Sequence, residues 1–159
     1  MANFSVNNGM GGTLQPITST YKTLQQTTAV TSGRRGKLYD VMFGTLGTPA
    51  DQSYEWDISR CTTLGASGTT LVAVALDPAD SSVASTVGSG NFTGAEPTYT
   101  ASSSVFYLAT NQRASYRWVA SPGSELVWPV TNLNGLGLRT RSVSGGTATA
   151  SAHFLFQEQ

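Results

Sequence analysis

The clearest pattern along the chain is period-two alternation. In Ser53–Cys61 (SYEWDISRC), Tyr54, Trp56 and Ile58 fall on one side, and Glu55, Asp57 and Ser59 on the other. That is the signature of a strand with one face in a core. Residues 37–46 (KLYDVMFGTL) repeat it, with Tyr39, Val41 and Phe43 opposite Leu38, Asp40 and Met42. Residues 105–110 (VFYLAT), 114–119 (ASYRWV), 136–143 and 147–157 (TATASAHFLFQ) read the same way. A short continuous apolar run at 70–76 (TLVAVAL) predicts a strand buried on both faces. Residues 17–30 read as a first strand or extended edge, 98–102 as a short strand, and 126–130 as a strand end limited by Pro129.

Turn chemistry separates these segments. Pro122-Gly123 suits the two central positions of a turn that needs positive φ at its third residue, and Asn134-Gly135 is a hairpin-type signal. Ser32-Gly33-Arg34-Arg35-Gly36, residues 44–51, 64–68 and Gly145-Gly146 also break the pattern. Asp77-Pro78 predicts an Asx turn, and residues 81–97 are the longest expected loop. Eight to ten short strands at this spacing, with no helical period, predict an all-β fold: an antiparallel β-sandwich, jelly-roll-like. Residues 1–16 are polar and Gly-rich and predict an extended N-terminal arm with little core of its own; 17–159 form the single sandwich domain.

Composition agrees with strands and turns. The chain has 159 residues, 22 Thr, 19 Ser and 17 Gly, and only 11% charged residues. Nine basic residues balance nine acidic ones. The basic footprint expected of a nucleic-acid binder is missing, so no direct nucleic-acid partner is expected. A net charge of zero removes the repulsion that holds copies apart and suits packing against neighbours. No apolar run reaches the ~20 residues of a membrane span, and residues 1–12 do not read as a signal peptide. Asn91-Phe92-Thr93 matches a glycosylation sequon but reads as a loop.

Candidate chemistry is sparse. Cys61 and His153 are the only Cys and His, so a zinc cluster is not expected, and Cys61 reads as a small buried residue. Asp51, Asp77 and Asp80 are too few for a calcium cage. His153 as a base would need a nucleophile and an orienting acid, and neither is evident. Glu55 and Asp57 could stand ~7 Å apart on one strand face, a glycosidase-like separation, but a salt-bridged face is the simpler reading. Neither an enzyme nor a cofactor is expected.

Residues 111–142 hold two of the three Trp and four of the nine basic residues. Trp56 and Trp118 read as core, while Trp128, beside Pro129, reads as the best exposed aromatic for stacking on a sugar or base. Arg113, Arg117, Arg139 and Arg141 form a candidate basic stripe. Pairing with Glu55, Asp57 and Glu125, within the subunit or across an interface, is the favoured alternative. With Trp128 they are the candidate interface residues.

The segments NNGMGGTLQPITSTYKT, YEWDISRCT, LDPAD, NQRASYRWVASPGSELVWP, NGLGLR and FLFQEQ resemble small proteins encoded beside major capsid genes in tailed bacteriophages. The resemblance, to capsid decoration (cement) proteins, spans nearly the whole chain. It implies a non-enzymatic sandwich that binds the major capsid protein on the outer capsid surface and stabilises the shell. It also implies a virion location after synthesis in the host cytoplasm, and self-association, usually as a homotrimer, with dimers also known. A carbohydrate-binding or host-adhesion sandwich is the alternative.

Overall fold

The computed structural model describes residues 1–9, 14–30, 34–83 and 86–159. Among the described residues, twelve strands run in chain order: β1 (Ala2–Asn7), β2 (Lys22–Ala29), β3 (Gly36–Leu46), β4 (Ser53–Cys61), β5 (Thr69–Leu71), β6 (Val74–Ala75), β7 (Thr86–Gly90), β8 (Tyr99–Asn111), β9 (Tyr116–Val119), β10 (Leu126–Trp128), β11 (Gly135–Ser142) and β12 (Thr149–Glu158). They make two antiparallel sheets packed as a sandwich. Sheet A has the order β10-β3-β12-β1-β6, with β9 also on β3. Sheet B has the order β5-β7-β2-β11-β4-β8. Neighbours are rarely consecutive in sequence, so the chain crosses repeatedly between sheets.

The core is the meeting of the two inner faces. Phe4, Val6, Leu38, Val41, Phe43, Trp128, Phe154 and Phe156 come from sheet A, and Leu24, Tyr54, Trp56, Ile58, Leu136 and Leu138 from sheet B. Phe43 stacks on Trp56 with ring centroids 4.4 Å apart. The Trp56 indole N–H, which burial would otherwise strand, donates to Thr110 Oγ1 at 2.8 Å.

Several expectations are corrected. Residues 2–7 are not an arm. Phe4 and Val6 alternate with polar residues, point into the core, and are paired on both sides, by β12 and β6. The polar, Gly-rich surroundings hid this strand because its main partner lies near the other end of the chain. Gly11 and Gly12 of the expected arm, and Ser32 and Gly33 of the expected turn, lie outside the described residues.

The TLVAVAL run is broken into β5 and β6, which belong to different sheets. Val72, Val74 and Leu76 are exposed; here the chain changes layers, and that outweighs local hydrophobicity. The expected loop at 81–97 contains β7. Residues 98–102 and 105–110 are one long strand, β8.

In β3 the alternation slips. The β12 register shifts between Leu155 and Phe156, leaving Tyr39 unmatched, so both Leu38 and Val41 face inward. Asn134-Gly135 does not close a hairpin but links β10 in sheet A to β11 in sheet B. Pro122-Gly123 does form the expected turn: Gly123 has φ +88° and Ser124 N–H reaches Ser121 C=O at 2.9 Å.

Candidate functional site

Sheet B places β11 beside β4 with Arg139 directly opposite Asp57 and Arg141 opposite Glu55. All four side chains lie on the outer face. Arg139 Nε donates to Asp57 at 2.7 Å and Arg141 Nε to Glu55 at 2.5 Å. Asp57 also accepts from the hydroxyls of Ser59, at 2.6 Å, and of Ser104 on β8. The Arg139 guanidinium lies between the rings of Tyr21 and Tyr99, 4.6 and 4.4 Å from their centroids, and Arg141 lies over Tyr21 at 4.8 Å.

Cation–ring contacts contribute about 0.5–2 kcal/mol each, more as they are desolvated. Tyr99 fits because Gly137 leaves room: a Cβ there would collide with the Tyr99 hydroxyl. That hydroxyl bonds Thr23 Oγ1 at 2.8 Å, and burial raises its pKa. The hydrogen bond from Arg141 holds Glu55 below the usual carboxylate range.

The two other candidate arginines are paired as well. Arg117 on β9 forks onto Asp40 of β3, with Nη2–Oδ2 at 2.5 Å, and covers a carboxylate that is only 3% exposed. Its guanidinium is held above its ordinary pKa by those bonds. Arg113 meets Asp51 at 2.9 Å, but both groups are in solvent. The structure thus divides the expected stripe. Arg139 and Arg141 share one face of sheet B, Arg117 belongs to sheet A, and Arg113 sits in the loop after β8. Glu125 joins none of them; its carboxylate accepts from Gly123 N–H.

Trp128 is not exposed. It is fully buried, packed edge-on to Phe156 at 5.6 Å, with its ring over Gly36, where any Cβ would overlap it. Trp56 is core, as expected, and Trp118 is half-buried. Glu55 and Asp57 do not form an acid/base pair, since each is taken up by its own arginine. Cys61 is buried, accepts from Gln26 Nε2 at 3.0 Å, and burial pushes its thiol up to about 11. Asp77 makes the expected Asx turn, with Oδ1 accepting from Ala79 N–H at 2.9 Å. Among the described residues, no group of three or more His, Cys, Asp or Glu could hold a metal.

One contact had no sequence signal. His153 Nε2 is 2.7 Å from Ser5 Oγ, across the β12–β1 pair and 148 residues apart. Burial lowers the His153 pKa, which favours the neutral ring at pH 7; in one neutral tautomer Nε2 accepts from the Ser5 hydroxyl and in the other it donates to it. The pair lies near a cleft of about 660 Å³ that His153 lines together with Asn7, Met42, Tyr116, Arg117 and Ser151. Asp40 is the nearby carboxylate, but both of its oxygens accept from Arg117. Ser5 sits in a strand paired on both sides, so the local backbone N–H groups serve the ladders rather than a developing oxyanion.

The aromatic flank was half legible. Phe106 of β8 approaches Tyr116 and Trp118 of β9, each with centroids 6.1 Å apart, and Phe43 lies 5.6 Å from Tyr116. Phe106, Trp118, Val105 and Leu108 are only partly buried. At this flank the two sheet edges leave the core open to solvent. No protein-family model matches the chain, and no curated protein matches it.

Proposed function

We propose that this protein is a structural component of a bacteriophage virion, a decoration protein that binds the outside of the shell through the major capsid protein and stabilises it. The observation that carries the reading is the self-neutralised outer face of sheet B. Its charges are matched inside the subunit and stacked between tyrosines, which makes a stiff, neutral tile rather than a site for a charged ligand. Zero net charge and the resemblance in sequence support the same reading. On a repeating shell, many weak contacts add up without one strong site. Self-association, as a homotrimer or a dimer, belongs to the reading.

The test is the composition of particles. Intact capsids purified with this chain present should carry it in a fixed ratio to the coat protein, and loaded shells should resist heat better than bare ones. Absence from particles, or a variable trace amount, overturns the proposal.

A carbohydrate-binding reading is favoured by one feature, the cleft on the outer face of sheet A, with Tyr116 as an aromatic wall beside Asn7, Ser151 and Arg117. Trp128 can no longer serve as its probe. Saturable glycan-array binding that Tyr116→Ala abolishes would establish it; a blank array excludes it.

A further inference from the structure

The sandwich has four kinds of edge, and three are guarded. On sheet A, β6 is two residues long. The opposite edge is split into β9 and β10, of four and three residues, with Arg117 on β9 and Pro129 directly after β10. On sheet B, β5 is three residues long. Short strands, charges and prolines are the devices that stop sheet edges from pairing with other chains.

β8 is different. It is 13 residues long, the longest strand among the described residues, and among these β4 is its one neighbour in the sheet. At ~3.3 Å per residue it runs for roughly 43 Å. Its first half is guarded. Ser102 has φ +54°, the pairing with β4 slips on both sides of Ser59, and Ser103 Oγ accepts the Arg60 N–H at 3.1 Å in place of a ladder bond. From Phe106 to Asn111 the register with β4 is regular. This half carries no charge, and residues 97–112 contain no Asp, Glu, Lys or Arg at all.

We infer that the Phe106–Asn111 edge of β8 pairs antiparallel with the same edge of a second copy, joining two B sheets into one. The occupant follows from charge and symmetry. A two-fold contact sets a strand against its own sequence, so any charge near its centre would face its like. β8 has none between Phe106 and Asn111, whereas β9 on the edge of sheet A carries Arg117 at its second residue. Zero net charge adds no long-range repulsion between copies.

Keeping inner faces together requires a register centred on an even step. Centred on Leu108, it sets Leu108 against its copy, Phe106 against Thr110 and Tyr107 against Ala109. Phe106 and Leu108 face the inner layer, opposite Ile58 and Trp56 in register, and would then be flanked by the copy's Thr110 and Leu108. The open aromatic flank of Phe106, Tyr116 and Trp118 is covered by the same contact. This deepens the self-association within the proposed function and rests on that element alone.

Ala109 is the residue to change. It is exposed, on the outer face, opposite Glu55 of its own β4 and diagonal to its own copy across the two-fold. Sedimentation of the full chain over a concentration series should give a species of twice 16.7 kDa. Ala109→Lys and Ala109→Glu should each weaken association by at least about tenfold, and an equimolar mixture of the two should restore it. Hydrogen exchange of the native chain should slow at Phe106–Asn111 as concentration rises.

A chain that stays monomeric throughout, or an oligomer of any order that both variants leave unchanged, overturns the inference. The second outcome leaves self-association standing through another surface. Shell loading is scored separately, so failure of the edge and failure of the capsid reading are told apart.

Discussion

β1 and β8 are opposites. β1 has six residues, a strand on each side and two side chains in the core; β8 has 13 residues, a strand on one side and a mostly exposed surface. The sequence suggests otherwise, a loose N-terminus and, where β8 runs, two separate strands at 98–102 and 105–110 of which the second reads like any strand with one face in the core. The difference teaches that how many sides of a strand are paired, and not its length or apolar content, decides whether it is structural or available. A short strand closed on both sides belongs to the core. A long one closed on one side is the place where another chain can join.

The largest effect that could break this contrast is at Phe4. Phe4→Ala should cost about 3–5 kcal/mol in chemical denaturation, the range for a fully buried phenylalanine. Deleting residues 2–7 should prevent folding altogether. A loss below about 1 kcal/mol at Phe4 would return β1 to the status of an arm.

Next comes Asp57, where β8 is tied to the rest of sheet B through Ser104. With Arg139 in place the Asp57 side chain is 4% exposed, and Arg139→Ala leaves that carboxylate with only its two serine donors. The expected loss is about 2–3 kcal/mol, less than for a bare buried charge because the hydroxyls remain. Asp57→Asn added to it should recover part of the loss.

Burial of His153 on β12, beside β1, makes the fold sensitive to acid. In the unfolded chain a histidine titrates near 6.5, and in the fold burial holds His153 lower. Between those values the unfolded state takes up a proton that the folded state refuses. Stability therefore falls as pH drops from about 6.5 through that window, then levels off below the folded pKa. His153→Gln should remove this slope in thermal melts. Glu55 acts lower still: its pKa is depressed, so its contribution holds above the ordinary range near 4.3 and is lost as pH falls through its folded value. A slope near pH 6 that survives His153→Gln would assign it elsewhere.

The smallest effects belong to β8 and its loop. Tyr107→Ala should change the stability of the single subunit by less than about 1 kcal/mol, since the ring is 56% exposed. Arg113→Ala should stay within about 0.5 kcal/mol, because its pair with Asp51 is solvated. A large loss at Tyr107 would mean that β8 is structural after all.

Much of sheet B was legible. The alternation of β4 and the Arg-x-Arg of β11 put opposite charges at strand positions, so pairing of arginines with Glu55 and Asp57 was legible; which arginine meets which carboxylate, and that Glu125 meets none, is set by the register of the two strands. Sheet A was less so. The partner of β1 is remote, the slip at Tyr39 is set by β12, and the burial of Trp128 depends on the missing side chain of Gly36. Ser5 and His153 carry no local mark, because only pairing brings them together. Local pattern reports what a strand is; it does not report what lies beside it.

The β1–β12 pair sets an order of events as well as a contact. Ala2 pairs with Glu158 and Asn7 with His153, so β1 has no main partner until residues 153–158 have been made. Until then Phe4 and Val6 remain exposed, and β3 also lacks its longest neighbour. Contacts this distant in sequence form late, and the chain waiting for them is prone to stick to others. Shielding Phe4 and Val6 until residues 153–158 have been made is therefore one step on which the yield of folded protein is expected to depend.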